Sequence, residues 1–228
     1  MSGVAGISRY ILERHLRQGL FPSASTVVIP EPISESTFVP RSEKKPSGRF
    51  GYLGVLSHDK GLETLAAAWR KADIRNGSLS IAGTGRETYT SRLAGLFEDH
   101  VRFEGWVDSS KYLSSIDFLI VPSIWNEPFG RIVIEAFAKG VPVIGSQIAG
   151  IEETVRNGQD GFTFAAGDSD ELAKLIRRCS VISREEYERV SGQASLDVRA
   201  YSSAIVGRAH IEFYEEIIRR YRVSDVCQ

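Results

Sequence analysis

The chain has 228 residues, 42% of them hydrophobic and 25% charged, proportions that exclude a disordered chain and suit one well-buried domain with additional segments. Because 28 basic residues are matched by 29 acidic ones, the net charge of -1 gives no overall attraction for nucleic acid or an anionic membrane. The sequence has no apolar run of the roughly 18 residues that a membrane span needs, and Cys179 and Cys227 form no CxxC pair. We therefore expect a cytoplasmic protein that is at most peripheral at the inner face of a membrane.

The N-terminal part of the chain is predicted to form a helix, a strand and a linker. Apolar residues recur at helical spacing over residues 7–20, and residues 26–29 follow as a short strand. Four prolines and several charged residues between positions 30 and 48 indicate a linker. We place a domain boundary near residue 45.

Beyond this boundary, apolar strands alternate with amphipathic helices. The predicted strands cover residues 50–56, 79–82, 101–103, 118–121, 141–144 and 162–164. The predicted helices include residues 62–69, a segment that ends near residue 97, a short helix around residues 112–116, and segments at about 128–139, 169–179, 183–193 and 202–221. Near-continuous apolar strands separated by helices indicate an α/β fold with a parallel, doubly wound, Rossmann-like sheet. Ligands bind such sheets outside the carboxyl ends of the strands.

One stretch at such a strand end has the features of an anion site. Pro128 suits the first position of a helix, which would leave the backbone N–H groups of Phe129, Gly130 and Arg131 without intrahelical acceptors. Free N–H groups and the helix dipole favour a phosphate group. Gly130 has no side chain where a phosphate would approach.

Two carboxylates flank this segment. On a continuous helix, Glu127 and Glu135 would lie about 12 Å apart along the axis and only about 80° apart around it. Carboxylates accept hydrogen bonds from sugar and ribose hydroxyls. The spacing fits a nucleotide diphosphate sugar, which carries hydroxyl-rich rings on both sides of its pyrophosphate.

The stretch resembles the retaining GT-B glycosyltransferases of the family 4 type, whose signature is a proline-serine strand end, then E-x-F-G, four residues and E-A. Other segments resemble the family in its order and spacing over residues 48–180. They are residues 54–61, 81–85, 101–107, 140–144 and 149–153.

The resemblance implies roles for several residues. Glu127 would contact the donor sugar, Glu135 the ribose hydroxyls, and the backbone of Phe129, Gly130 and Arg131 the diphosphate. Lys60 would supply the cation that stabilises the leaving diphosphate. Glu127 and Lys60 are thus the candidate catalytic residues.

The remaining candidate positions follow the first three strands of the sheet. Trp106 and Val107 would lie beside the nucleotide base, and Gly83 and Gly85 would form a tight turn that lines the same crevice. At the first strand end, Gly54 is followed by Val55, where the family usually has an arginine that grips the diphosphate. Without that arginine the phosphate site is one cation short, and Arg131 or Arg86 is a candidate replacement.

The resemblance also divides the chain. Residues 1–45 would be a remnant of the acceptor-binding domain and the linker, residues 46–200 the nucleotide-sugar-binding domain, and residues 201–228 the final crossing helix. The apolar face of that helix would then be partly bare. We expect self-association or a separate acceptor-domain chain. The face contains Ile205, Ala209, Phe213 and Ile217.

No cofactor is expected. Gly83 and Gly85 begin a pattern like the dinucleotide fingerprint, but the third glycine is missing, so NAD binding is not predicted. Asp168 and Asp170 resemble a metal-binding D-x-D, but they precede a helix, where such residues are ordinary caps. We therefore expect no metal, with the nucleotide sugar as the substrate.

Two functional hypotheses remain open. The chain could belong to an enzyme that transfers a hexose-type sugar from a nucleotide donor to an unknown acceptor. It could instead be a non-catalytic module that binds a nucleotide or nucleotide sugar and needs a partner chain. Val55 favours the module, and the spacing of Glu127 and Glu135 favours the enzyme. Trp125, next to this site, is predicted to be a packing residue.

Overall fold

A computed structural model describes residues 2–38, 46–75, 77–97 and 101–225, with side chains to residue 220. The strands are β1 (Gly3–Gly6), β2 (Ser25–Val28), β3 (Arg49–Leu53), β4 (Ser78–Ala82), β5 (Arg102–Gly105), β6 (Phe118–Val121), β7 (Val143–Gln147) and β8 (Gly161–Ala165). The α-helices are α1 (Arg9–Arg17), α2 (Leu62–Ala72), α3 (Glu87–Ala94), α4 (Ser109–Ser115), α5 (Arg131–Phe137), α6 (Ala149–Thr154), α7 (Ser169–Ser180), α8 (Arg184–Asp197) and α9 (Ser203–Asp225).

The main sheet has the order β5-β4-β3-β6-β7-β8, and every pairing in it is parallel. The chain runs outward from β3 to β5, returns to β6 beside β3, and then runs outward on the other side. The strand order therefore reverses between β3 and β6, which opens a crevice at their carboxyl ends. The predicted doubly wound α/β fold is confirmed.

Both faces of the sheet are covered by helices. On one face, Phe50 of β3 stacks on Phe118 of β6 with ring centroids 5.6 Å apart, and Trp69 and Tyr187 contact these two rings edge-on. The other face holds a second buried cluster that includes residues of α4, α5 and α8. Burial on both faces explains the apolar run of a central strand such as β6, whereas the edge strand β5 is exposed along its length.

The N-terminal segment and α9 pack together. Strands β1 and β2 form a separate parallel pair, and Ile29, just after β2, shares a buried cluster with Val206 and Phe213 of α9. Strand β1 was not predicted. The proposed boundary near residue 45 lies outside the described residues, and the division at residues 45 and 200 stays a prediction.

The predicted apolar face of α9 is covered except at Ile205. Phe213 is buried, and Ala209 and Ile217 pack beside it, so most of the predicted face is covered. Ile205 is 53% exposed, and a different stripe is exposed together with it. That stripe consists of Ile211, Tyr214 and Ile218. Self-association through α9 stays a prediction.

The helix after β6 begins later than predicted. Gly130 has φ +79°, a left-handed conformation that cannot lie within an α-helix, and it caps α5 at Arg131. Pro128 is therefore a loop residue rather than the first helical residue. Helix α1 is also shorter than predicted, because the Ser8 side chain caps its N-terminus by accepting from the N–H of Ile11.

None of the helices in the described part of the chain has the length and apolar character to span a membrane.

Candidate functional site

A cleft of about 240 Å³ opens at the carboxyl ends of β3 and β6. It lies where the strand order reverses, so the sheet topology puts it at the position where open α/β sheets bind ligands. The structure brings six of the predicted site residues into its lining. They are Gly54, Val55, Lys60, Glu127, Gly130 and Arg131.

Lys60 reaches the cleft on a short 3-10 turn, His58–Lys60, that follows β3. Gly61 ends this turn with φ +71°, and a Cβ there would lie 1.8 Å from the carbonyl oxygen of Pro122. The backbone N–H groups of Ile124 and Trp125 each donate to the carbonyl of Asp59 at 3.0 Å. The turn is therefore bound tightly to the loop that follows β6.

Glu127 lies in that loop and forms an ion pair with Lys60. The Lys60 ammonium donates to Glu127 Oε1. The Ser123 hydroxyl lies 3.3 Å from the same oxygen and 3.2 Å from the carbonyl oxygen of Trp125, and its one proton can be donated to either. No described residue donates a hydrogen bond to Glu127 Oε2. The Lys60 and Glu127 side chains are 25% and 18% exposed, so the pair is only partly shielded from solvent. One carboxylate oxygen is fixed and the other is available to a ligand.

The start of α5 presents backbone donors. Among the described residues, none accepts a hydrogen bond from the N–H groups of Phe129, Gly130 and Arg131. The loop itself is held in place, since the N–H of Gly150 donates to the carbonyl of Glu127 at 2.9 Å and Phe129 is buried. Unpaired N–H groups next to a residue with positive φ suit an anion. The later start of α5 does not change this prediction.

Glu135 does not line the cleft and is paired with Arg131, which does. Arg131 Nε lies 3.0 Å from Glu135 Oε1, and its Nη1 lies 3.4 Å from Glu31 Oε2. The hydrogen bond to Glu135 raises the pKa of Arg131 above its ordinary value. Because Glu127 lies in a loop, the helical spacing calculated between it and Glu135 was wrong. Glu31 was not identified from the sequence, since it lies in the predicted linker.

The glycines after β3 and β4 allow two backbone segments to touch. Gly83 has φ +134°, and a Cβ there would lie 1.8 Å from the carbonyl oxygen of Gly54. A Cβ on Gly85 would lie 2.1 Å from the carbonyl oxygen of Leu56. The close packing of these loops explains the glycines without a ligand, and Gly85 lines a neighbouring cavity instead of the cleft.

The structure does not bring the predicted base-binding residues into the cleft lining. Trp106 is 81% exposed, and Val107 lines a separate groove next to α4. Trp125 is 55% exposed, so its prediction as a packing residue was wrong. Its backbone is fixed by hydrogen bonds in a loop that turns the side chain outward.

Tyr52 is a cleft residue that the sequence analysis missed. Its hydroxyl donates to the carbonyl of Val55 at 2.7 Å, which ties the end of β3 to the loop that follows. Burial, and after it the charge of Glu127, raises the pKa of Tyr52, so the hydroxyl remains a donor. The strand pattern predicted a core residue and could not show that its polar end reaches the cleft.

The D-x-D sequence before α7 is a helix cap. The Asp168 side chain accepts from the N–H groups of Asp170 and Glu171, both at 2.9 Å. Within the described ranges, no group of three or more His, Cys, Asp or Glu side chains could hold a metal ion.

Comparison with known proteins places these features in a family. The family model described as Glycosyl transferases group 1 matches residues 47–180. A phosphatidyl-myo-inositol mannosyltransferase of Mycobacterium leprae is 33% identical over 146 residues, which are 61% of this chain and 38% of that protein. The chain spans only 38–40% of the length of the first curated relatives.

Solved structures share the fold. A glycosyltransferase from Rickettsia africae superposes with a TM-score of 0.84 at 22% identity, over 95% of this chain and 64% of that chain. The Anabaena protein HepE, solved in complex with UDP and glucose, gives 0.82 at 20% identity, over 94% and 63%. The sheet matches the Rossmann-like C-terminal domain of GT-B glycosyltransferases. Since the family match covers more than half of its residues, the chain belongs to the Glycosyl transferases group 1 family.

Proposed function

We propose that this chain forms the donor-binding half of a retaining glycosyltransferase, which transfers a hexose-type sugar from a nucleotide diphosphate to an acceptor. The observation that carries the proposal is the hydrogen bonding of the two carboxylate oxygens of Glu127. Its Oε1 accepts from Lys60 and lies 3.3 Å from the Ser123 hydroxyl, and no described residue donates to its Oε2. The carboxylate lies in a cleft at the point where the sheet order reverses, and it can accept a hydrogen bond from a sugar hydroxyl.

Lys60 and the N–H groups before α5 take the diphosphate in this proposal. Cleavage of the bond between the sugar and the phosphate oxygen leaves additional negative charge on the diphosphate. A fixed ammonium and pre-oriented N–H donors stabilise that charge without reorganising as it develops. Lys60 is positioned by a turn whose backbone is bonded to the loop that contains Glu127, so the cation and the sugar-binding carboxylate are placed together.

The charge arrangement supports retention of configuration. Among the described residues, Glu127 is the one carboxylate that lines the cleft, and it is paired with Lys60. A carboxylate held by an ammonium is a poor nucleophile. We therefore propose that the acceptor hydroxyl attacks from the side of the leaving diphosphate, whose oxygen accepts the hydroxyl proton.

The base and the ribose are assigned by analogy. HepE has been solved with UDP and with UDP-glucose, which supports a uridine nucleotide as the first ligand to test. We propose that Glu135, one helical turn after Arg131, accepts from the ribose hydroxyls. Glu135 does not line the cleft itself, but its carboxylate is paired with Arg131, which does.

Calorimetric titration of the chain with UDP, GDP and ADP tests the proposal. We expect one nucleotide to bind and the Glu135→Ala variant to bind it about 1–3 kcal/mol more weakly, which is the cost of a lost charge-assisted hydrogen bond. Glu188→Ala is the matched control. Glu188 also forms an i,i+4 ion pair, with Arg184, but it lies on α8 and does not line the cleft.

Two results would count against the proposal. If no nucleotide binds at millimolar concentration, the cleft is not a donor site in this chain. If Glu135→Ala and Glu188→Ala weaken binding equally, Glu135 does not contact the ribose. Nucleotide binding without sugar transfer to any acceptor tested would favour the non-catalytic module, which is supported by Val55 in place of the usual arginine.

A further inference from the structure

A second cavity shares Val55 with the candidate cleft. Its volume is about 630 Å³, and it lies between the loop after β3 and the start of α3. Its basic and aromatic lining residues are His58, Arg86, Tyr89 and Arg92. Arg86 was named from the sequence as a candidate replacement for the missing arginine, and the proposed function does not use it.

Three of these side chains are bonded to one carboxylate. Glu63 accepts from the Tyr89 hydroxyl at 2.9 Å and from the Arg92 guanidinium at 3.0 Å, and His58 Nδ1 lies 3.2 Å from it. The charge of Arg92 is therefore largely neutralised before any ligand arrives.

Arg86 is different. Its backbone carbonyl accepts from the N–H groups of Tyr89 and Thr90 at 2.9 Å, so its main chain is fixed at the start of α3. No carboxylate of the described residues forms an ion pair with its guanidinium. The cavity thus holds one exposed arginine whose main chain is fixed and whose charge no carboxylate of the described residues balances.

The cations of the neighbouring cleft are balanced. Lys60 is paired with Glu127, and Arg131 is paired with both Glu135 and Glu31. A phosphate that enters the cleft competes with these carboxylates, whereas a phosphate at Arg86 does not. Because Val55 lines both spaces, the cleft and the cavity are adjacent.

We propose that this cavity binds a phosphate group and that Arg86 is the residue that holds it. Guanidinium groups bind phosphate through two parallel hydrogen bonds, which suits a single free arginine. The inference rests on the proposed function for the origin of the phosphate. It belongs either to the diphosphate of the donor, which reaches past Val55, or to a phosphate on the second substrate.

Titrations with UDP alone, and with inorganic phosphate in the presence of saturating UDP, test the proposal. Backbone amide shifts of Gly85 and Tyr89 in the labelled protein report whether the cavity is occupied. We expect Arg86→Ala to weaken one of the two titrations about tenfold. Arg70→Ala, an exposed arginine on α2, is the matched control and should change neither.

Glu63→Gln gives a second test, in which the affinity for the anion should rise instead of fall. It removes the carboxylate that neutralises Arg92, so the affinity for the same anion should rise about threefold. A purely structural role of the cavity residues would not produce a gain in affinity.

The outcomes separate the sources of the phosphate. A loss of UDP affinity in Arg86→Ala assigns the cavity to the donor diphosphate. An unchanged UDP affinity with a loss of phosphate binding assigns it to the second substrate. If Arg86→Ala changes neither titration while wild-type chain binds UDP, the cavity proposal is wrong and the proposed function stands. If UDP does not bind but phosphate still binds through Arg86, the donor site is wrong and the cavity proposal stands.

Discussion

An ion pair joins strands β3 and β6 at each of their two ends. The two pairs differ in how many hydrogen-bond donors the carboxylate has. At the amino ends, the fully buried Asp117 side chain is bonded to Arg49, whose Nη2 lies 2.9 Å away, and to the N–H groups of Ser47 and Arg49 at 2.9 and 3.0 Å. At the carboxyl ends, Lys60 and Glu127 are partly exposed, and one Glu127 oxygen has no donor among the described residues.

This difference separates stability from binding. A buried carboxylate with several donors has no remaining capacity for a ligand, and removing it leaves its partners unsatisfied. A partly exposed carboxylate in a cleft contributes little to folding but can exchange partners with a ligand. Similar residue types therefore have different roles at the two ends of the same strands.

The largest expected loss of stability comes from breaking the ion pair between Arg49 and Asp117 at the amino ends of the strands. Asp117→Asn should lower the free energy of unfolding by about 3 kcal/mol, because it removes the charge of a fully buried carboxylate and weakens its bonds to two backbone N–H groups and to Arg49, whose side chain is 34% exposed. Urea unfolding of the two proteins measures this loss. A change below about 1 kcal/mol would show that this pair is not the structural one.

The same carboxylate gives a pH dependence. Burial alone would raise the pKa of Asp117, but hydrogen bonds from Arg49 and from backbone N–H groups outweigh it and lower the pKa to about 2. A lowered folded-state pKa means that the carboxylate stabilises the fold fully above its ordinary pKa of 3.8, and that this stabilisation is lost as the pH falls towards 2. Asp117→Asn should lack this contribution to the acid slope.

A smaller loss of stability is expected at Gly61, where the loops at the carboxyl ends of β3 and β6 are in close contact. Gly61→Ala should cost more than about 2 kcal/mol and weaken nucleotide binding, since the residue has φ +71° and the new methyl group would overlap the Pro122 carbonyl. Gly105→Ala is the matched control, because Gly105 has φ +65° but nothing within 4 Å of the new Cβ. It should cost about 1–2 kcal/mol, from backbone strain alone. Equal losses in the two variants would mean that the contact with Pro122 is unimportant.

The smallest effect on stability is expected at the carboxyl-end pair. Lys60→Met should change the free energy of unfolding by less than about 1 kcal/mol, because the pair is partly exposed. The same substitution should weaken binding of a nucleoside diphosphate by about 1.5–3 kcal/mol, the cost of a lost hydrogen bond to a charged group. If Lys60→Met destabilises the fold as much as Asp117→Asn, the division between a stabilising pair and a binding pair is wrong.

Much of the main sheet could be predicted because its strands are buried on both faces, which produces apolar runs that are visible in one sequence. The start of α5 could not be placed, since Pro128 and Gly130 both suit a helix start and only the observed positive φ of Gly130 decides between them. Trp125 was wrongly predicted to be a packing residue, because apolar character does not reveal which side of a loop a side chain occupies.

The sequence by itself determined the α/β class, the strand ends that could bind a ligand, and the residues Lys60, Glu127 and Gly130 that line the cleft. These depend on local periodicity and on short motifs. The tertiary structure decided which charges meet: Lys60 with Glu127, Arg131 with Glu135 and Glu31, and Arg86 with no carboxylate of the described residues. Ion pairs between residues as far apart in the chain as Glu31 and Arg131 depend on how loops pack in space, and one sequence carries no local signal of that packing.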